Sequence, residues 1–138
     1  MQLEVKINLI LHATENENKI LEILEDVFHI EQKKFQIEEV PGHFNNPILL
    51  VSSKLKKKSA QDFVNVFFLK MKKDEFQEIF DNVEDYVTSS GLNLRISKQR
   101  LISEILTLSK EDSIKINIST PVYVKNETKK IYQELMKK

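Results

Sequence analysis

Several segments alternate between apolar and polar residues, which is the pattern of a strand with one buried face. The alternation is clearest over 3–11, 92–97 and 114–120. Apolar runs bounded by turn residues add three further strand candidates, at 35–40, 48–56 and 104–108. The chain is therefore expected to contain six strands.

Apolar residues at helical spacing predict four helices between and after these strands. Thr14 and Glu17 form a capping box at the start of the first helix. Asn126 is the predicted cap of the last helix. The resulting order, β-α-β-β-α-α-β-β-β-α, favours an α+β fold: a two-layer, mostly antiparallel sheet with helices on one face. We expect one domain over residues 1–138.

Composition narrows the class of protein. The 138 residues include 21 basic and 21 acidic side chains, so the formal net charge is zero and a polybasic binder is not expected. The chain has no cysteine, which excludes disulfides and thiolate chemistry. No apolar run approaches the roughly 18 residues of a membrane span, and the N-terminus has no signal-peptide pattern, so a cytoplasmic protein is expected.

The sequence offers little for catalysis. The three histidines, at 12, 29 and 43, form no metal-binding spacing. With only two glycines there is no glycine-rich phosphate loop, and no nucleophile motif is present. We therefore expect a protein that is not an enzyme, without a metal or another cofactor.

Clusters of lysine leave nucleic-acid binding as a candidate function. One cluster lies at the end of the predicted strand 48–56, with Lys54, Lys56 and Lys58, and another follows the strand 92–97, with Lys98 and Arg100. Lysines at strand ends are also commonly solvated residues that protect sheet edges. A sheet that stacks bases is disfavoured, because aromatic residues are lacking at the outward strand positions, namely Lys6, Asn8, Arg95, Lys115 and Asn117.

Three short motifs resemble those of an archaeal family described as RNA-binding and exosome-associated. The motifs are His12-Ala13-Thr14-Glu15, the segment from Gly42 to Ile48, and Lys98-Gln99. In the family the second motif reads G-H-x-G-N-P-I, and Asn45 replaces its second glycine here. Ser97 stands where the family has an aspartate. The resemblance covers about residues 3–136.

The resemblance implies an RNA-binding protein with an accessory role in RNA processing or degradation. It also implies a fold similar to the large-subunit ribosomal protein that binds the five-S RNA. We assign phosphate contacts to four cations, with positioning roles for Lys98, Gln99, His43 and Asn46. The four are Lys54, Lys56, Lys58 and Arg100. RNA, and proteins of an RNA-processing complex, are the expected partners of a monomer or homodimer.

A protein–protein interaction module or dimerising adaptor is the alternative. It rests on the zero net charge and on an apolar patch expected near the Pro41-Gly42 turn from Ile10, Phe44 and Ile48.

Overall fold

The strands form one six-stranded antiparallel sheet. A computed structural model describes residues 2–12, 15–42 and 46–137. The strands lie in the order β2-β3-β1-β6-β5-β4, and every neighbouring pair is antiparallel. Their bounds are β1 Glu4–Leu11, β2 Phe35–Pro41, β3 Pro47–Lys56, β4 Val87–Thr88, β5 Gly91–Ser97 and β6 Ser113–Ser119.

The helices lie against one face of this sheet. Short 3-10 turns precede β2 and the last helix, at Gln32–Lys34 and Lys125–Glu127. The helix bounds are α1 Glu17–Phe28, α2 Lys57–Lys70, α3 Lys73–Asp81, α4 Val83–Tyr86, α5 Lys98–Ile102 and α6 Thr128–Met136. The predicted α+β architecture, with an antiparallel sheet and helices on one face, is confirmed. Among the described residues, every helix is too short or too polar to cross a bilayer.

The core lies between the sheet and the helices. Alternate residues of β1, including Val5 and Ile7, are fully buried, whereas their neighbours point away from the helices. Phe28 of α1 contacts Phe63 and Phe67 of α2 with ring centroids 5.2 and 5.8 Å apart. Aromatic side chains are thus concentrated in the helical layer, where they bury the most apolar area.

The predicted strand at 104–108 is wrong. Glu104 has a positive φ of 61°, and only Leu108 forms an isolated bridge, to Ile96. The carboxylate of Glu75 accepts hydrogen bonds from the Leu108 amide and from the Thr107 hydroxyl. A side chain from α3 therefore satisfies polar groups that a neighbouring strand would otherwise pair.

Of the two predicted helix caps, one lies outside the described residues and the other is wrong. Thr14 lies outside the described residues, and α1 is capped by Asn16, whose side chain accepts from the Lys19 amide at 3.1 Å. The prediction for Asn126 is wrong, because α6 begins only at Thr128. Asn126 lies inside the preceding 3-10 turn.

Candidate nucleic-acid interface

The face of the sheet away from the helices carries most of its charge as cations. Register places the even-numbered residues of β1 and β3 on this open face, with odd-numbered residues of β5 and β6. Its acidic side chains on the described strands are Glu4 and Glu38. Its basic side chains are Lys6, Lys54, Lys56, Arg95 and Lys115. In a chain of zero net charge, this distribution separates positive charge onto one surface.

Two cross-strand pairs on the open face join like charges. Lys6 lies directly opposite Lys54, and Arg95 lies directly opposite Lys115. Like charges in this position destabilise a sheet by roughly 0.2–1 kcal/mol per pair. Glu4 offsets the first pair, since its Oε1 lies 3.3 Å from Lys54 Nζ and 4.0 Å from Lys6 Nζ. Within the described part of the chain, the second pair has no carboxylate within salt-bridge distance.

Polar groups lie between the cations and line two shallow depressions. One, of ≈ 350 Å³, is lined by Lys6, Asn8, Ser52 and Lys54 among others. A second, of ≈ 630 Å³, shares Asn8 and Ser52 and extends to the pair of like charges at Arg95. The open face therefore presents amide and hydroxyl groups flanked by positive charge.

An amide network fixes one side of this face. Asn117 Nδ2 donates to Asn93 Oδ1 at 2.8 Å and to the Ser90 carbonyl at 3.2 Å. Asn93 Nδ2 in turn donates to Thr88 Oγ1 at 2.9 Å. These bonds hold both amides in one orientation. The two side chains therefore lose little conformational entropy when a ligand binds to them.

The opposite end of the open face is apolar. Ile10 is 44% exposed and lies opposite Leu50, which is 36% exposed. On the same face, Val40 of β2 pairs with Ile48 of β3. These four residues, which we call the apolar end, separate the cations from the β2–β3 turn.

The structure places three of the predicted site lysines at one end of the sheet. Lys54 and Lys56 lie on the open face near the end of β3. Lys58 follows in the first turn of α2, after Lys57, whose φ is positive at 55°. These three cations flank the start of β1, where Glu4 lies opposite Lys56.

Gln99, Arg100 and Asn46 lie at the other end. Gln99 and Arg100 belong to α5, whose first residue bonds to the Ile10 carbonyl near the end of β1. Asn46 precedes β3 and accepts from the Gly42 amide at 2.9 Å, closing the β2–β3 turn. The two groups are separated along β1 by the distance from Glu4 to Ile10, which is about 20 Å at roughly 3.3 Å per residue. His43 lies outside the described residues.

Lys98 is enclosed by the protein. Its side chain is 1% exposed, and Nζ lies 2.6 Å from the Ile10 carbonyl. The same Nζ lies 2.9 Å from Glu15 Oε1 and 3.0 Å from Asp112 Oδ1. All three ammonium protons thus have acceptors in the chain, and Lys98 is not available to position RNA. Lys98 follows the end of β5 and contacts Ile10 near the end of β1. Its two carboxylate partners precede α1 and β6.

The carboxylates around Lys98 also lie near a histidine. Ligand atoms of His12, Glu15 and Asp112 lie within 4.8 Å of one another. The Lys98 ammonium bonds both carboxylates and supplies the balancing positive charge. The His12 amide donates to Glu15 Oε1 at 2.9 Å, which ties the segment together further. The arrangement is that of an internal ion-pair cluster.

Two tyrosines have perturbed ionisation. Burial raises the pKa of Tyr86, and nearby Glu78, Asp85 and Glu75 raise it further. Burial also raises the pKa of Tyr132, partly countered by the hydrogen bond that its hydroxyl accepts from the Thr120 amide. Both phenols are therefore neutral at physiological pH.

Lys6, Arg95 and Lys115 are open-face cations that the sequence reasoning did not assign to the site. Alternation identifies each as an outward residue. Their adjacency depends on strand order and register, which the alternation does not contain. The signal that could have found them is a cation at an outward position in each of three strands.

Several known proteins align with most or nearly all of this chain. A family model described as RNA binding matches residues 4–120. RNA-binding protein PAB1135 from Pyrococcus abyssi is 28% identical over 126 residues, which cover 86% of this chain and 82% of that protein. Protein SSO0741 from Sulfolobus solfataricus has a crystal structure that matches with a TM-score of 0.77 at 26% identity, covering 96% of each chain. Mth689 from Methanothermobacter thermautotrophicus matches with a TM-score of 0.77 at 22% identity, covering 99% of each chain, and shares the fold.

Proposed function

Since this chain belongs to the RNA-binding family whose model matches residues 4–120, we propose that it binds RNA through the open face of its sheet. The cations of that face contact phosphates, and the polar groups between them contact sugars and base edges. The whole 138-residue chain acts as one binding unit. The proposal involves no catalytic step and no cofactor.

The pair of like charges formed by Arg95 and Lys115 carries this proposal. Holding two cations side by side costs stability, and a bound phosphate repays that cost. Lys6 and Lys54 repeat the arrangement two strand positions away, with Glu4 as a partial counter-charge. Functional sites often keep interactions that lower folding stability.

Lys115→Glu tests the proposal, because it moves stability and binding in opposite directions. Opposite charges at this pair raise the free energy of unfolding by roughly 0.2–1 kcal/mol. Loss of a phosphate contact and addition of a repulsive charge lower RNA affinity by about tenfold or more. Urea unfolding and fluorescence anisotropy with labelled RNA measure the two quantities.

Lys130→Glu is the matched control, since Lys130 is exposed on α6 in the helical layer. It makes the same change in net charge and is expected to leave RNA affinity within about twofold of the parent. Equal losses in the two variants would show that net charge alone governs binding. Absence of RNA binding by the parent protein at low salt would remove the function.

The residues assigned from sequence enter the proposal unequally. Lys54 and Lys56 contact phosphates on the open face, with Lys58 at its border. Arg100, Gln99 and Asn46 lie beyond the apolar end and form at most a peripheral contact, and His43 keeps the role assigned from sequence. Lys56→Glu is therefore expected to lower RNA affinity more than Arg100→Glu does. The reverse order would move the site to the α5 end.

An accessory role in RNA processing or degradation is the finer proposal, supported by the archaeal family that the motifs resemble. The protein then acts in the cytoplasm beside an exosome. A purified archaeal exosome degrading a structured RNA, with and without the protein, tests this role. A changed degradation rate that Lys115→Glu abolishes is the expected result, and an unchanged rate contradicts it.

A protein-interaction role is favoured by one observation, the apolar end of the open face around Ile10 and Leu50. This surface is continuous with the sheet edge at β2 and could bury against a second copy. Light scattering at increasing concentration tests for a homodimer. Retention of the dimer in Leu50→Glu would exclude this surface as its interface.

A further inference from the structure

Resting on the proposed RNA-binding function, we infer that the open face takes double-stranded RNA and lies across its minor groove. Three features of the described strands carry the inference: the chemistry of the outward side chains, their arrangement in rows, and the shape of the surface.

The outward side chains lack the groups that single strands require. Proteins that bind single-stranded RNA stack its bases on aromatic rings. Over the described strands, none of the outward positions is aromatic. Among the described aromatic residues, Phe35 is buried on β2, Tyr123 is exposed in the loop after β6, and the others belong to helices. Bases that remain stacked in a duplex need no such partner.

Each row of outward side chains across the sheet joins a run of neutral polar groups to one pair of cations. One row runs from β2 to β5 through Gln36, Ser52, Asn8, Lys115 and Arg95. The next runs through Lys54, Lys6, Asn117 and Asn93. The minor groove of A-form RNA presents 2′-hydroxyls and base edges between two phosphate backbones. Amides and hydroxyls beside a pair of cations, with the pair at opposite ends of the two rows, complement that pattern.

The amides of the second row are already oriented. Asn117 and Asn93 bond to each other and to the turn before β5, which leaves the Asn117 side-chain oxygen as an acceptor toward the open face. A 2′-hydroxyl is a donor that DNA lacks. This acceptor therefore distinguishes RNA from DNA of the same sequence.

The open face is broad. Five strands spaced by about 4.8 Å span roughly 19 Å, and the rows from Glu4 to Asn8 cover about 13 Å along the strands. No helix or hairpin projects from this face in the described part of the chain, whereas entry into a deep groove requires one. An open face of this size matches the wide minor groove of A-form RNA.

Competition among three probes of one sequence tests the inference: an RNA duplex of about 16 base pairs, its single strand, and the DNA duplex. The protein is expected to bind the RNA duplex about tenfold more tightly, or more, than either of the other two probes. Lys115→Glu is expected to lose binding of the RNA duplex. Asn117→Ala is expected to narrow the preference for RNA over DNA. Tyr123→Ala leaves duplex binding unchanged.

The outcomes separate this inference from the function on which it rests. No binding of any probe at low salt overturns the proposed function itself. Binding of the single strand as tightly as the duplex, sensitive to Lys115→Glu, supports the function and overturns the inference. A large loss in Tyr123→Ala, or equal affinity for the RNA and DNA duplexes, overturns the inference as well.

Discussion

Lys98 shows how a residue's chemistry depends on its surroundings. In sequence it is one more lysine near Arg100, and its expected role is to position RNA. In the fold its ammonium is surrounded by the Ile10 carbonyl and the carboxylates of Glu15 and Asp112. A buried charge persists only when acceptors replace its water, and these three acceptors do so. Lys98 consequently serves the fold.

Lys98→Met is expected to lower the free energy of unfolding by about 2–3 kcal/mol, because it leaves two carboxylates without their cation. This loss of stability is smaller than that for a fully buried ion pair, because the Asp112 side chain is 53% exposed and water screens its charge. Adding Glu15→Gln is expected to restore part of the loss. Urea unfolding measures each variant, and Lys110→Met at an exposed lysine is the control. A loss below about 0.5 kcal/mol would contradict the role of the cluster.

Glu4→Gln is expected to tighten RNA binding. Glu4 Oε1 lies 3.3 Å from Lys54 Nζ and competes with phosphate for that cation. Neutralising it raises affinity by about two- to fivefold, the magnitude of an exposed ion pair. Anisotropy at low salt is the measurement, and Glu134→Gln on α6 is the control. Unchanged affinity in Glu4→Gln would place the RNA away from β1.

Tyr132 makes stability depend on alkaline pH. Burial holds its pKa above the ordinary value of 10.0, so the folded state keeps the phenol neutral while the unfolded chain ionises. Its contribution is present below about pH 10 and is lost as pH rises above that value. Tyr132→Phe is expected to lose less stability than the parent between about pH 9 and 11. Tyr123→Phe, at a ring that is 91% exposed, should match the parent in urea unfolding.

At the scale of elements, the long alternating segments were predictable and the short irregular ones were not. β1, β5 and β6 match their predicted positions closely, since one face of each is buried and the pattern records it. The segment at 104–108 has apolar residues, but its Leu108 amide donates to the Glu75 carboxylate and not to a neighbouring strand. A contact 33 residues away in sequence is invisible to a local pattern.

The turn before β5 depends on one glycine. Gly91 has φ +123°, and a Cβ there would lie 2.5 Å from the Ile118 carbonyl oxygen. Gly91→Ala is therefore expected to lower the free energy of unfolding by about 2–3 kcal/mol. Ser89→Ala in the same turn is the control and should change stability by less than about 0.5 kcal/mol. Equal unfolding midpoints in urea would show that β5 shifts to accommodate the methyl group.

At the scale of the whole molecule, the decisive property is the separation of charge. The chain is neutral, and that neutrality argued against a polybasic binder. Folding nevertheless collects five cations on the open face, on four different strands. Net charge therefore says little about a surface that register assembles.

Salt is expected to act on the free protein and on its RNA complex in opposite directions. Screening of the pairs Lys6–Lys54 and Arg95–Lys115 raises the free energy of unfolding by a few tenths to about 1 kcal/mol at high NaCl. If all five cations contact phosphates, RNA affinity falls with a log–log slope of about −4.5 for a duplex and about −3.5 for a single strand. In Lys115→Glu, high NaCl should raise the free energy of unfolding by less than in the parent. The log–log slope of its RNA affinity against salt should also be shallower. Affinity that is independent of salt would contradict the interface.

The α+β class, the antiparallel sheet and its single buried face follow from the alternation alone, because burial of one face imposes a period of two on any strand. The lysine runs and family motifs likewise indicated RNA as the ligand without a structure. Only the tertiary structure decided which cations meet. Strand order put β1 beside β3 and β6 beside β5, so Lys6 came beside Lys54 and Lys115 beside Arg95. Lys98 turned inward to its carboxylates. Register and enclosure are set by contacts between segments distant in sequence, and a local pattern contains neither.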